Sequence, residues 1–429
     1  MQSVLLSKED SFILLCCCIE PDAQQRSTIN AALTPDLDWE YIIGIAVRHG
    51  IASMIYKNII GLENHSYVSP LIFEHLRKFY HGAAYNNLLL LNEFKKIARA
   101  FNAEQIPFLP LKGIDFFKTI YGNIALRPAN DIDILVKRVD LNHAIETLCG
   151  LGYDQKRTAH PTEELFHCVF SRPVATATIF VELHWDLDIP QSPFKVCVDD
   201  FWKRAHIVTS GGNWFYRPSL EDTILFTAFH ILRAPLAGDT LGIVSLRGLV
   251  DVAEMIKKHG GKINWDRIFS RAQQYRVERP LLTVLYLLEV FFNVRVRENL
   301  WDTLRAQGFQ EEMLRHMIGE WIFSHKEAKD IFLPNIIEAV ASPGGTIKKL
   351  SLLKIFNTIY IVLRHQLRTA PSLLNAVRAI RKKFWKSFIN YLKIVYLMIC
   401  DYRQINRILH DELVKRSKLE EIDNWIRGR

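Results

Sequence analysis

The chain has 429 residues, of which 49% are hydrophobic and 23% charged. That balance belongs to a globular protein and excludes the disordered and fibrous classes, while the length points to two or three domains around a sizeable core. The formal charge of +8 is unevenly placed: eleven Lys and Arg residues and no Asp or Glu lie between Ala339 and Cys400.

The seven cysteines, Cys16, Cys17, Cys18, Cys149, Cys168, Cys197 and Cys400, contain no C-x-x-C pair. A zinc ribbon and a disulfide framework are thereby excluded, and a reducing cytoplasm is the expected setting. The opening "MQSVLLSKEDSFILLCCCIE" has acidic residues ahead of its apolar run and reads as a first helix rather than a signal peptide. No apolar run reaches the ~18 uninterrupted residues of a spanning helix.

In chain order, "DLDWEYIIGIAVRHGIASMIYKNI" and "IFEHLRKFYHGAAYNNLLLLNEFKKIARAFNAE" carry apolar residues at helical spacing. The pattern changes at "QIPFLPLKG", a short strand ending at Gly113, followed by a helical run from Ile114 to Tyr121. An irregular "GNIALRPAN" leads into the strand "DIDILVK", and "VDLNHAIETLCGLGY" reads as a helix closed by Gly152. "LFHCVFS" and "ATIFVELHWDL" are strands. The second alternates, with Ile179, Val181, Leu183, Trp185 and Leu187 on one face and Thr178, Phe180, Glu182, His184 and Asp186 on the other. "HIVTSGGNWFY" is a hairpin with a Gly-Gly turn. Beyond Pro218 the chain reads as helical to its end, beginning with Ser219 and Asp222 at capping-box spacing.

Asp131 and Asp133 head an otherwise apolar strand. Two residues apart, they share a face with alpha carbons roughly 6.5 Å apart. Carboxylates that close repel unless a cation lies between them. Hard divalent cations prefer oxygen ligands, and Mg²⁺ takes one or two carboxylates and fills its shell with waters and phosphates. Glu182, on the polar face of the alternating strand, is the natural third carboxylate of a two-metal clamp for phosphoryl or nucleotidyl transfer. Gly113, between strand and helix, would present backbone N–H groups to an anion, with Lys112 and Arg127 adding positive charge. His230 reads as a core histidine, and Arg247 with Asp251 as an ordinary i,i+4 ion pair.

The pieces Leu111-Lys112-Gly113, Tyr121, Arg127-Pro128, Asp131 to Val136 and Glu182-Leu183-His184-Trp185, in this order, resemble the DNA polymerase β-like nucleotidyltransferase superfamily, and most closely its branch of uncharacterised nucleotidyltransferases. The likeness runs on through "PSLEDTILFTAFHILR", "LRGLVDVAEMI" and "INWDRIFSRAQQY", covering roughly 107–275. It implies an α+β fold with a small mixed-sheet nucleotidyltransferase core, and together with the helical patterns and the charge run the chain divides into 1–104 helical, 105–217 the α/β core, 218–345 helical and 346–429 basic and helical. It implies an enzyme that binds ATP or another NTP with Mg²⁺ or Mn²⁺ and moves the NMP to an acceptor: a small molecule, a peptide, a protein or an RNA end. Asp131 and Asp133 would bind the metals, Glu182 would be a third ligand or the base, and Gly113 would cradle the triphosphate. The chain departs from the superfamily in having Gly-Ile where Gly-Ser or Gly-Gly is usual, and in a longer gap from Gly113 to Asp131. Lys112 or Arg127 would compensate. His184, on the face of Glu182, would orient that carboxylate, touch a phosphate or simply bond a neighbour.

Two readings stay open: this enzyme, or a non-catalytic protein of the same fold acting as an RNA- or membrane-binding adaptor. The basic segment with Arg381, Lys382 and Lys383 fits an RNA contact, an anionic surface or a helical layer packed on its own core.

Overall fold

The structure, a computed structural model, describes residues 6–155, 166–175, 177–190, 192–236, 244–323, 418 and 421–428. The basic segment, read as an RNA contact, an anionic-surface contact or a helical layer packed on its own core, lies outside the described residues. Met1–Ser324 with Asp423–Arg429 form one compact unit, and it is this unit that is described below.

Its first part is helical: α1 (Lys8–Leu15), α2 (Ala23–Ala32), α3 (Trp39–Arg48), α4 (Ala52–Ile59) and the long α5 (Pro70–Ala103). Local chemistry sets their starts. Ser7 with Asp10 and Asp22 with Gln25 form capping boxes at α1 and α2, and Ser69 with Pro70 opens α5. The strands β1 (Phe108–Pro110), β2 (Asp131–Val136), β3 (Asp154–Gln155), β4 (His167–Val174) and β5 (Ala177–His184) form one sheet in the order β1-β2-β5-β4-β3. β2 and β5 run parallel, and the other pairs are antiparallel. The sheet is therefore mixed, as an α+β core requires.

On one face, Ile132, Ile134, Val181 and Leu183 pack against Leu90, Phe94, Ile97 and Phe101 of α5 and Leu141, Ala144 and Leu148 of α7 (Leu141–Gly150). The spacing of those α5 residues is the i, i+4, i+7, i+11 stripe of a helix laid on a sheet. A separate hairpin, β6 (His206–Ser210) and β7 (Asn213–Arg217), turns at Gly211 and Gly212. Both glycines have positive φ, 59° and 78°, the conformation a two-residue hairpin turn needs.

Three local features depart from the sequence expectation. The run 114–121 is not one helix but three residues of α6 (Ile114–Phe116) followed by a π-turn, Phe117–Tyr121. The wider turn accompanies burial of Phe116, Phe117 and Tyr121 together. A helix, α8 (Val198–Arg204), stands before the hairpin, and the two-residue β3 extends the sheet edge.

The described chain beyond Pro218 is helical, as expected: α9 (Leu220–Leu236), α10 (Leu246–His259), α11 (Trp265–Gln274), α12 (Glu278–Phe292), α13 (Leu300–Ala306) and α14 (Glu311–His316). Pro280–Leu288 of α12 is buried all round, which marks a central helix. The Ser219–Asp222 cap forms: Ser219 Oγ accepts from Asp222 N–H at 3.2 Å and donates to its carboxylate at 2.7 Å. The same buried carboxylate receives Arg204 of α8 at 2.7 Å and Arg271 of α11 at 2.9 Å, joining three helices. Among the described residues no helix is long and apolar enough to cross a membrane.

His49, at the end of α3, links distant segments. Its Nδ1 accepts from Leu246 N–H at 3.2 Å, so Nε2 carries the hydrogen and donates to Ile322 O at 2.7 Å. Burial, with lesser repulsion from Arg48 and Arg247, pushes its pKa down to about 4. An unfolded histidine titrates near 6.5. On acidification the unfolded chain therefore takes up this proton first, and the fold loses stability between about pH 6.5 and pH 4, by up to about 3 kcal/mol. Urea unfolding at pH 7.5, 6 and 5 checks this: the pH slope of the wild type should flatten in His49→Asn, and an identical slope in both proteins rules the assignment out.

Candidate active site

The parallel β2–β5 pair sets Asp133 opposite Glu182 and Leu135 opposite His184. Residues 182 and 184 share a face of β5 by the two-residue period of a strand. Three side chains thus converge. His184 Nε2 lies 3.4 Å from Asp133 Oδ1 and 3.4 Å from Glu182 Oε2. Asp133 and His184 are buried, while the Glu182 side chain keeps 30% exposure. Lys112 closes the other side, its Nζ 3.4 Å from Asp133 Oδ2. The Asp133 carboxylate is thereby split, one oxygen toward an ammonium and the other toward an imidazole.

Lys112 is placed by the turn after β1. Leu111 N–H donates to Asp133 O at 3.2 Å, prolonging the strand pairing by one residue. Gly113 then takes φ 57° and ψ −96°, backbone that an L side chain rarely adopts. A Cβ there would have room, its nearest neighbour being Arg127 Nη1 at 3.8 Å, so the requirement is conformational rather than steric. The α-helix that follows is only three residues long, so its dipole is weaker than the sequence expectation supposed.

Burial tends to raise the Asp133 pKa, but Lys112 and the His184 hydrogen bond outweigh it and hold the carboxyl far below its usual range. Asp131 goes the other way: burial and then the Asp133 charge raise it to about 6. The D-x-D pair is therefore asymmetric, with one firmly ionised carboxylate and one that burial, aided by its neighbour's charge, keeps weakly acidic. Burial lowers the pKa of His184, but its bonds to Asp133 and Glu182 prevail and raise it.

His230 of α9 is not the core histidine the sequence suggested. It faces the site, with Nε2 3.0 Å from Lys112 Nζ, and the Lys112 charge followed by burial pushes its pKa well down. Its ring nitrogen acts as acceptor and steadies the ammonium. His167 of β4 was not anticipated either. It stands opposite His184 in register, and the two rings stack at 5.0 Å with 26° between planes.

Arg127 is buried beneath the Gly113 turn and forms a fork with Asp251 of α10: Nε to Oδ1 at 2.8 Å and Nη2 to Oδ2 at 2.8 Å. Tyr121 OH donates to the same carboxylate at 2.6 Å. The expected Arg247–Asp251 pair gives way to this one. Arg247 instead donates to Pro128 O, because Asp251 points into the unit, where Arg127 arrives from the loop before β2. Asn87 of α5 fixes that loop, donating to Arg127 O at 2.9 Å and accepting from Ala129 N–H at 3.1 Å.

The description "uncharacterised nucleotidyltransferase" covers a family whose members match this chain over residues 35–293, well over half its length. The chain belongs to this family. No curated protein matches it. The family match begins just before α3 and ends at the close of α12, so it extends beyond the 107–275 span on which the sequence resemblance rested and takes in α3, α4 and α5. Asp133, Glu182 and His184 each offer one ligand atom, all within 4.8 Å of one another, a group that could hold a metal ion.

The Arg127–Asp251 pair generates a stability prediction. Its side chains are 7% and 2% exposed, and removing one partner leaves a buried charge without compensation. Asp251→Asn should cost about 3–5 kcal/mol, whereas the double change Arg127→Met with Asp251→Leu should cost markedly less than the sum of the single changes. Denaturant titrations of the three variants decide it, and additive costs would show that the pair is not coupled.

Proposed function

We propose that this nucleotidyltransferase moves a nucleoside monophosphate from an NTP to an acceptor, using a divalent ion, Mg²⁺ or Mn²⁺, at Asp131, Asp133 and Glu182. The observation that carries the reading is the register of β2 against β5, which faces Asp133 with Glu182 across two adjacent strands, with Asp131 two residues away on the face of Asp133. The donor set fits such an ion: carboxylate oxygens from two strands, one of them deeply buried and held ionised. When bound, the ion supplies Lewis-acid stabilisation of charge on the phosphates and on the attacking oxygen.

The remaining work falls to the chain's own groups. Lys112 offsets the Asp133 charge and stands beside the Gly113 turn, where the triphosphate would be received. The absent side chain at Gly113 lets the phosphates approach the backbone closely. Arg127 is committed to Asp251, and its part is to hold the turn and contribute positive potential from beneath. Glu182, partly exposed, would hold the ion or accept the proton of an acceptor hydroxyl, while in-line attack of that oxygen on the α-phosphate would release pyrophosphate. The acceptor is a small metabolite, a peptide, a protein side chain or an RNA end. Free cysteines among the described residues fit a reducing cytoplasm.

The test is label transfer. The full chain is incubated with each α-labelled NTP, Mg²⁺ and a cell extract, and the labelled product is isolated. Asp133→Asn and Glu182→Gln should each reduce transfer by at least about 100-fold, near 3 kcal/mol of barrier. Near-wild-type turnover in either variant would remove that carboxylate from the mechanism. Asp131→Asn should abolish transfer while raising the stability of the ion-free protein by on the order of 1 kcal/mol, because it removes the cost of burying that charge and the repulsion from Asp133, which together raise the Asp131 pKa. A lower melting temperature in that variant would contradict the repulsion argument.

A further inference from the structure

We propose that His184 is itself a ligand of the divalent ion, so that the site takes Mn²⁺, with its tolerance for a nitrogen donor, in preference to Mg²⁺. The inference rests on the metal site proposed above and names a ligand and an ion class within it.

Four observations converge on it. His184 Nε2 is equidistant, at 3.4 Å, from Asp133 Oδ1 and Glu182 Oε2. An imidazole placed only to orient one carboxylate would draw close to that one and turn from the other, whereas this nitrogen is shared evenly between the two. Donors at neighbouring corners of an octahedral ion with bonds of 2.0–2.1 Å sit about 3 Å apart, close to the two 3.4 Å separations from the imidazole nitrogen, and the three groups all lie within 4.8 Å of one another. The ring is also restrained: His184 is 7% exposed and stacked on His167, which limits its rotation away from the carboxylates. Lys112 occupies Asp133 Oδ2, so the oxygen left for an ion is Oδ1, the one beside His184. Finally, the backbone fixes the set, since residues 133, 182 and 184 lie on two strands in fixed parallel register rather than on a loop.

The choice of ion follows from ligand chemistry. Mg²⁺ prefers an all-oxygen shell and dehydrates reluctantly. First-row transition ions accept imidazole readily, and in a set that is otherwise carboxylate and phosphate Mn²⁺ is the natural member. Asp131, two residues from Asp133 on the same face of β2, adds a carboxylate beside this set.

The experiment uses the full chain with a non-hydrolysable NTP analogue. Mn²⁺ binding is followed by loss of the free-ion EPR signal, Mg²⁺ by competition, and the bound Mn²⁺ is examined for nitrogen coupling by pulsed EPR. The expected result is binding of Mn²⁺ roughly tenfold or more tighter than Mg²⁺, with a nitrogen coupling. In His184→Gln the coupling disappears and the preference for Mn²⁺ collapses, while Mg²⁺ affinity stays within about twofold. Bound Mn²⁺ without nitrogen coupling in the wild-type protein overturns the inference and leaves the carboxylate site standing, and it needs no variant to fold. An unchanged ion preference in His184→Gln overturns it equally. Failure of both ions to bind, or binding indifferent to Asp133→Asn, overturns the proposed metal site together with it.

Discussion

The parallel pairing of β2 with β5 is the constraint on which the site depends. It is the one parallel pair in a sheet otherwise antiparallel, and it brings a carboxylate from each strand to the same level on the same face. A slip of one residue would turn Asp133 into the packed face against α5 and expose Ile132 and Ile134 to the site. The apolar side chains that α5 and α7 cover therefore fix the register, and the register in turn fixes the chemistry. The core and the site are two faces of one set of strands.

Placing ionised groups so close to a core has a cost, and the surroundings show how it is offset. Asp133 is met from one side by Lys112 and from the other by His184, and Lys112 is steadied in turn by His230 from α9. A second knot, Arg127 with Asp251 and Tyr121, binds the loop before β2 to α10. The two knots are arranged in sequence: the first supplies cations where the carboxylates face the site, and the second anchors the Gly113 turn and the approach to β2. Asn87, on the long helix, adds neutral hydrogen bonds to the same loop. Such a loop, carrying Gly113 and Arg127 beside a strand with two carboxylates, would otherwise be held only at its ends.

Much of this was legible in the sequence because it is local. The alternation of 178–187, the Gly-Gly hairpin, the Ser219–Asp222 cap and the strand led by Asp131 all follow from periods and turn chemistry within a dozen residues. What was not legible is what tertiary packing decides. His230 looked like a core residue because its neighbours on α9 are apolar, and only the packing of α9 beside the Lys112 turn turns it toward the site. His167 joins His184 through an antiparallel register whose turn, near Ala175, carries no strong hairpin signal. Asp251 had a good local partner four residues back, yet a fork with Arg127, 124 residues away, wins because a guanidinium buried with its carboxylate is held in fixed, bidentate geometry. The π-turn at Phe117–Tyr121 was hidden for the same reason, since the wide turn goes with Tyr121 reaching Asp251.

The asymmetry of the D-x-D pair completes the physical picture. Two carboxylates on one strand face would repel equally if both stood in water, but here their surroundings separate them. Asp133 lies deep, with an ammonium and an imidazole in contact, and stays ionised, whereas Asp131 lacks such contacts, and burial first and the Asp133 charge second outweigh the pull of Lys112. A divalent ion bound as proposed would gain most from the first carboxylate, which is already ionised, and would then lower the cost of ionising the second. The order arises from the depth of the two aspartates on β2, which the packing of Ile132 and Ile134 against α5 has set.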